Sequence, residues 1–156
     1  MLTLLLLVTC IGLALMGGVF FAFSSFVMKA LGQLPTASAV AAMQRINVVV
    51  LNPLFLCAFM GTALLAGACV VVAVMIRAEP RAPWVLAAGL FYLVGTFGVT
   101  MVFNVPRNNR LASLAPESAQ AEAVWHEYLR DWTRWNHVRT VAALAGAVCA
   151  LMGQMP

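Results

Sequence analysis

Four long apolar runs, at about 4–28, 53–76, 84–103 and 138–152, fill most of this chain and leave nearly all of its strongly polar residues in the gaps between them. Hydrocarbon sets a minimum length for such a run: about 20 apolar helical residues cross it, with backbone N–H and C=O groups satisfied inside the helix. Three runs meet that length. The fourth is shorter, but it continues a helix that begins well before Val138. The pattern predicts an all-α integral membrane four-helix bundle, with amphipathic interfacial helical segments between spans 1 and 2 and before span 4.

Hydrophobic residues make up 63% of the chain and charged residues 9%, which excludes the ordinary balance of a soluble domain. With 156 residues, the four helices use nearly all of the sequence, so the expectation is a single transmembrane domain over 1–156. The first run lacks a basic segment before it and is too long for a removable signal, so it reads as a retained span. A formal net charge of +4 raises the question of nucleic acid, but the basic residues are scattered along interfacial segments. The expected partner is the lipid bilayer, with no nucleic acid.

Four crossings would put Lys29, Arg45, Arg107, Arg110, Arg130, Arg134 and Arg139 on one side and Arg77 and Arg81 on the other. Seven against two predicts cytoplasmic larger loops in a bacterial inner membrane. The cysteines, Cys10, Cys57, Cys69 and Cys149, all lie inside apolar runs without ligand spacing and read as small hydrophobes. Repeats of small residues at Ala142, Gly146 and Ala150, and at Ala63 and Gly67, offer seams for close helix packing.

No Gly or Pro interrupts the chain between Pro116 and Gly146, so an interfacial helix over about 117–137 should run straight into span 4. Projected at about 100° per residue from Trp125, Tyr128 falls at about 300°, Trp132 at 340°, Trp135 at 280°, Asn136 at 20° and Arg139 at 320°. These six residues share one face. Aromatic rings ending in an amide and a guanidinium, where the helix enters lipid, suit a flat lipophilic aromatic ligand carrying oxygen atoms. The competing explanation is an aromatic belt at the headgroups, with Arg139 snorkelling to the interface.

The only histidines, His126 and His137, project to about 100° and 120°, away from that face, and lie about 16 Å apart along the axis. They cannot share a metal ion, and no other metal-ligand spacing is present, so no metal site is expected. His137 remains a candidate proton acceptor, with axial haem ligation as an alternative. Two further polar clusters belong to the same side: Met43-Gln44-Arg45-Ile46-Asn47 before Asn52-Pro53, and Asn104-Val105-Pro106-Arg107-Asn108 at the end of span 3. Asn52 before Pro53 fits an N-cap, and Pro106 should push Val105 out of helix.

At these clusters, together with Trp132-Thr133-Arg134-Trp135-Asn136-His137-Val138-Arg139-Thr140, the chain resembles the anthrone-oxygenase-like family of small four-span membrane proteins. The resemblance runs through nearly the whole chain. It implies a membrane-embedded helical bundle and, as for the family's fungal pathway members, oxidation of an anthrone with dioxygen and no recognised cofactor. It points to Gln44, Asn47, Asn52, Asn104, Asn108, Trp132, Trp135, Asn136 and Arg139, whereas Arg107 stands where the family pattern more often has an apolar residue.

The resulting expectation is a cofactor-independent oxygenase for an anthrone-like or polycyclic phenolic substrate arriving from the lipid. His137 is expected as base, with Arg139, Asn104 and Asn136 stabilising the anion. Gln44, Asn47, Asn52, Asn108, Trp132, Trp135 and Tyr128 are expected to bind substrate. The alternatives are a non-catalytic membrane protein that binds a quinone, lipid or partner subunit, and a haem-binding protein using His137.

Overall fold

A computed structural model describes residues 1–155, all helix and connecting turns. Five helices follow one another: α1 (Leu2–Leu31), α2 (Thr36–Val49), α3 (Pro53–Met75), α4 (Ala82–Ala112) and α5 (Ala119–Met152). Three of them, α1, α3 and α4, are long and apolar enough to cross a membrane. The described residues thus form five helices rather than four, the additional one being the helical segment expected between the first two spans. The segment between the first two runs is a helix in its own right, and α5 joins the polar 117–137 stretch to the fourth run in one element of 34 residues.

Local chemistry fixes the helix starts. Asn52 caps α3 by accepting from the Phe55 N–H at 3.0 Å, with Pro53 in the first turn, as its sequence position predicts. Ser118 does the same for α5, accepting from the Ala121 N–H at 3.1 Å. Pro106 does not end α4: Val105 is helical, at φ −60° and ψ −46°, and the helix runs on to Ala112. The π turn Thr100–Asn104 finishes immediately before it. A change of hydrogen-bond register there is where a residue without an N–H is least disruptive.

Two cores form. Leu6, Leu13, Met16, Phe20, Phe59 and Tyr92 belong to one that joins α1, α3, α4 and the C-terminal half of α5. Met28, Val40, Met43, Leu111, Trp125 and Tyr128 belong to a second, which joins the end of α1, α2, the end of α4 and the N-terminal half of α5. Around the first core, Leu4, Ile11, Leu64, Val74, Val94 and Val141 are exposed, a surface suited to hydrocarbon rather than water.

The small-residue seam on α5 is packed: a Cβ on Gly146 would lie 3.1 Å from Leu13 and 3.3 Å from the Ala88 carbonyl. Of the seam expected at Ala63 and Gly67, Ala63 packs against the first core but nothing lies within 4 Å of a Cβ at Gly67. The buried stripe of α3 is instead Phe59, Thr62, Ala66, Cys69 and Ala73.

Candidate functional site

Between the two cores, α5 turns a line of polar and aromatic side chains inward. Trp125, Tyr128 and Trp132 stack in succession, with ring centroids 5.6 and 5.7 Å apart and planes within 16° of parallel. One turn further, Asn136 is fully buried. Its Nδ2 donates to the Phe20 carbonyl and to Ser24 Oγ, both at 2.7 Å, and its Oδ1 accepts from Arg139 Nη2. Thr140 closes this edge, donating to the Asn136 carbonyl at 2.9 Å and lying 3.2 Å from Ser24 Oγ.

Arg139 is the central group. It is only 5% exposed, and its guanidinium carbon sits 4.3 Å from the Phe20 ring centroid and 5.0 Å from that of Trp132. Nη1 donates to Thr100 Oγ1 at 3.3 Å, while Nε has no partner. The ion pairs among the described residues are Arg81–Glu79, Arg110–Glu127 and Arg130–Asp131, so no carboxylate neutralises Arg139. An uncompensated buried charge is costly. Neutral dipoles and two aromatic faces are its only partners here.

Asn104 lies beside this group. It is buried, donates from Nδ2 to the Trp132 carbonyl at 3.2 Å, and leaves Oδ1 without a donor. Asn108, one turn on, accepts at Oδ1 from both the Tyr128 hydroxyl, at 2.7 Å, and Trp132 Nε1, at 2.8 Å. Asn47 reaches the same hydroxyl at 3.5 Å from α2. Burial holds the Tyr128 phenol above its ordinary range, against the opposing pull of Asn47 and the Arg139 charge. It stays a neutral donor.

Asn47, Asn104, Asn108, Tyr128, Trp132, Asn136 and Arg139 are therefore brought together, and the other expected site residues are not. Gln44 donates to the Leu111 and Leu114 carbonyls at 2.8 and 3.0 Å, tying α2 to the loop after α4. Asn52 is exposed and occupied at the start of α3. Trp135, at the edge of the projected face, is half-buried and stacks on Phe103 at 3.6 Å between centroids. His137 is exposed on the opposite side of α5, as its helical angle requires, and so cannot serve as base within the Arg139 cluster. Arg107 donates to the Phe103 carbonyl at 2.7 Å rather than entering the cluster.

Sequence reading missed Phe20, Ser24, Thr96 and Thr100. Three of these, with Asn104, sit on π-helical turns: Ser24 in Phe23–Val27, Thr96 in Phe91–Gly98, and Thr100 and Asn104 in Thr100–Asn104. Such turns gather at functional sites because they shift a helix's register and re-aim its side chains. Isolated Ser and Thr in otherwise apolar runs were the available signal.

His137 instead lines a groove of about 800 Å³ between α4 and α5, with Leu90, Phe91, Gly95, Val141 and Ala142 among its walls and floor. Among the described residues no three His, Cys, Asp or Glu side chains gather to hold a metal ion.

No curated protein and no solved structure matches the chain. The profile of the anthrone oxygenase family matches residues 54–149, a segment containing Asn104, Asn108, Tyr128, Trp132, Asn136 and Arg139. Since that segment is well over half of the sequence, the chain belongs to the anthrone oxygenase family.

Proposed function

We propose that this protein is a membrane-embedded oxygenase that converts the activated methylene of an anthrone-like or polycyclic phenolic substrate to a carbonyl with dioxygen, without a cofactor. Family membership supports the reaction class. The observation that carries the reading is the Arg139 guanidinium, buried without a carboxylate beside two aromatic rings. In apolar surroundings a positive charge stabilises a developing anion far more than it would in water.

The chemistry balances without a reductant. A base removes a proton from the methylene, and the ring system delocalises the resulting anion onto its oxygen. Electron transfer to dioxygen followed by C–O bond formation gives a peroxide. Loss of the second C–H proton with O–O cleavage leaves the carbonyl and one water. The substrate supplies all four electrons, so the protein needs only to bind, deprotonate and stabilise charge.

The topology proposed with this activity has four crossings, with the 138–152 part of α5 beside α1, α3 and α4. The larger polar segments then face the cytoplasm of a bacterial inner membrane, following the distribution of basic residues. Substrate and dioxygen both arrive through the hydrocarbon.

Oxygen uptake with an anthrone in proteoliposomes tests the reading. Arg139→Met should lower kcat by about tenfold or more while the protein stays folded, and Arg139→Lys, which keeps a charge, should retain more activity. Wild-type turnover in Arg139→Met removes the proposed role. The absorption spectrum of the purified protein separates this cofactor-free reading from haem ligation through His137, which predicts a Soret band.

A further inference from the structure

Resting on the oxygenase reading above, we infer that the substrate's rings lie in the groove between α4 and α5, with His137 as the base that takes the methylene proton. The Arg139 cluster is too closed to take them: Asn136 is 0%, Trp132 4% and Arg139 5% exposed. The groove is open, and its volume of about 800 Å³ lies in the range of small-molecule sites.

Its shape follows from side-chain size. At the floor α4 and α5 meet through Gly95 and Ala142, where a Cβ on Gly95 would fall 2.5 Å from that of Ala142. Larger side chains flank this contact: Leu90, Phe91 and Val94 from α4, and Val138 and Val141 from α5. Small residues below and bulky ones on either side leave a shallow slot for a planar ring system.

Its chemistry singles out one residue. His137 is the only titratable group in an otherwise apolar lining, and its imidazole is exposed and makes no hydrogen bond among the described residues. Proton transfer to it leaves an imidazolium at the edge of the groove, beside a delocalised ring anion. Arg134, three residues earlier and exposed on the same strip of α5, stands outside the lining and forms no ion pair among the described residues, though it shares its field with Asp131. The groove is thus complementary in charge to the intermediate as well as in shape to the rings. Arg139, between Val138 and the groove residues Val141 and Ala142, turns to the interior and acts on the anion only through its field.

The test uses the full chain in phosphatidylcholine nanodiscs, with 9,10-anthraquinone as a non-reacting ring probe and anthrone for oxygen uptake. Val141→Trp fills the groove, and Val74→Trp places the same bulk on an exposed part of α3. Anthraquinone binding should weaken by about tenfold in Val141→Trp and stay unchanged in Val74→Trp. His137→Gln should bind the probe within about twofold of wild type and lose about 100-fold or more in kcat, with added imidazole restoring part of the rate in His137→Ala.

Equal anthraquinone binding by Val141→Trp and wild type would mean that the groove holds only lipid acyl chains, and would overturn the proposal. Oxygen uptake insensitive to both Val141→Trp and His137→Gln would also overturn it while leaving the oxygenase reading intact. If no variant or wild-type protein consumes oxygen, the oxygenase reading falls, and with it the role of His137. The binding comparison then still decides whether the rings occupy the groove.

Discussion

Removing Asn136 should cost stability chiefly because it strands Arg139, and a double-mutant cycle isolates that term. Asn136→Ala deletes two neutral hydrogen bonds, to the Phe20 carbonyl and Ser24 Oγ, and the acceptor for Arg139 Nη2. Hydrogen bonds between membrane helices average about 0.6 kcal/mol, and one to a charged group contributes about 1.5–3 kcal/mol. The expected loss is about 3 kcal/mol, most of it from the charge left without its amide. Arg139→Met removes the charge itself and keeps most of the volume, so it should be close to neutral or stabilising. With no guanidinium to strand, Asn136→Ala in the Arg139→Met background should cost only about 1 kcal/mol, giving a coupling of about 2 kcal/mol. Reversible unfolding in bicelles, followed by steric trapping, measures all four corners of the cycle. A coupling below about 0.5 kcal/mol, or a loss above about 2 kcal/mol for Arg139→Met alone, would refute the view that Arg139 is retained at the expense of stability.

The α4–α5 contact predicts a contrast between two glycines. Gly95→Ala places a methyl 2.5 Å from the Ala142 Cβ and should destabilise by about 1–3 kcal/mol, whereas Gly18→Ala has nothing within 4 Å and should gain about 0.5–1 kcal/mol from helix propensity. Thermal unfolding in one detergent compares them, and equal shifts would contradict the packing. Tyr128 predicts an alkaline limit: its phenol is raised in the fold, so its contribution is complete below the unfolded value of about 10 and is lost as pH rises toward the folded value. The tyrosinate difference spectrum between wild type and Tyr128→Phe should emerge only as helix signal is lost. Ionisation near pH 10 in intact protein would count against the Asn108–Tyr128–Trp132 arrangement.

Much of the polar cluster was legible because it lies on one uninterrupted helix. The 100° projection placed Trp125, Tyr128, Trp132, Asn136 and Arg139 on a common face, and these five are buried together. The same projection put His137 on the far side, where it is exposed, but it also counted Trp135 on the common face, whereas Trp135 is half-buried and stacks on Phe103. The resemblance to the anthrone-oxygenase family also agrees with the profile match over 54–149. Gln44 and Asn52 shared a side with the cluster in sequence, but their side chains are used locally, in a loop clamp and a helix cap. Amides serve caps and sites with the same atoms, so residue type alone does not separate the two uses.

The sequence alone determined the helical class, the apolar helices, the continuity of α5 and the inward face of its aromatic stripe. Hydrophobic length and the 3.6-residue period act within one segment, and neither needs a partner to be read. Tertiary structure decided that Phe20 and Ser24 from α1 and Thr100 and Asn104 from α4 gather around the Trp132–Asn136–Arg139 stretch, and that π turns present Ser24, Thr100 and Asn104. It also set the open groove beside His137 rather than among the tryptophans. Those outcomes depend on where separate helices cross and how their registers shift, and contacts between distant segments leave no periodic trace in either segment.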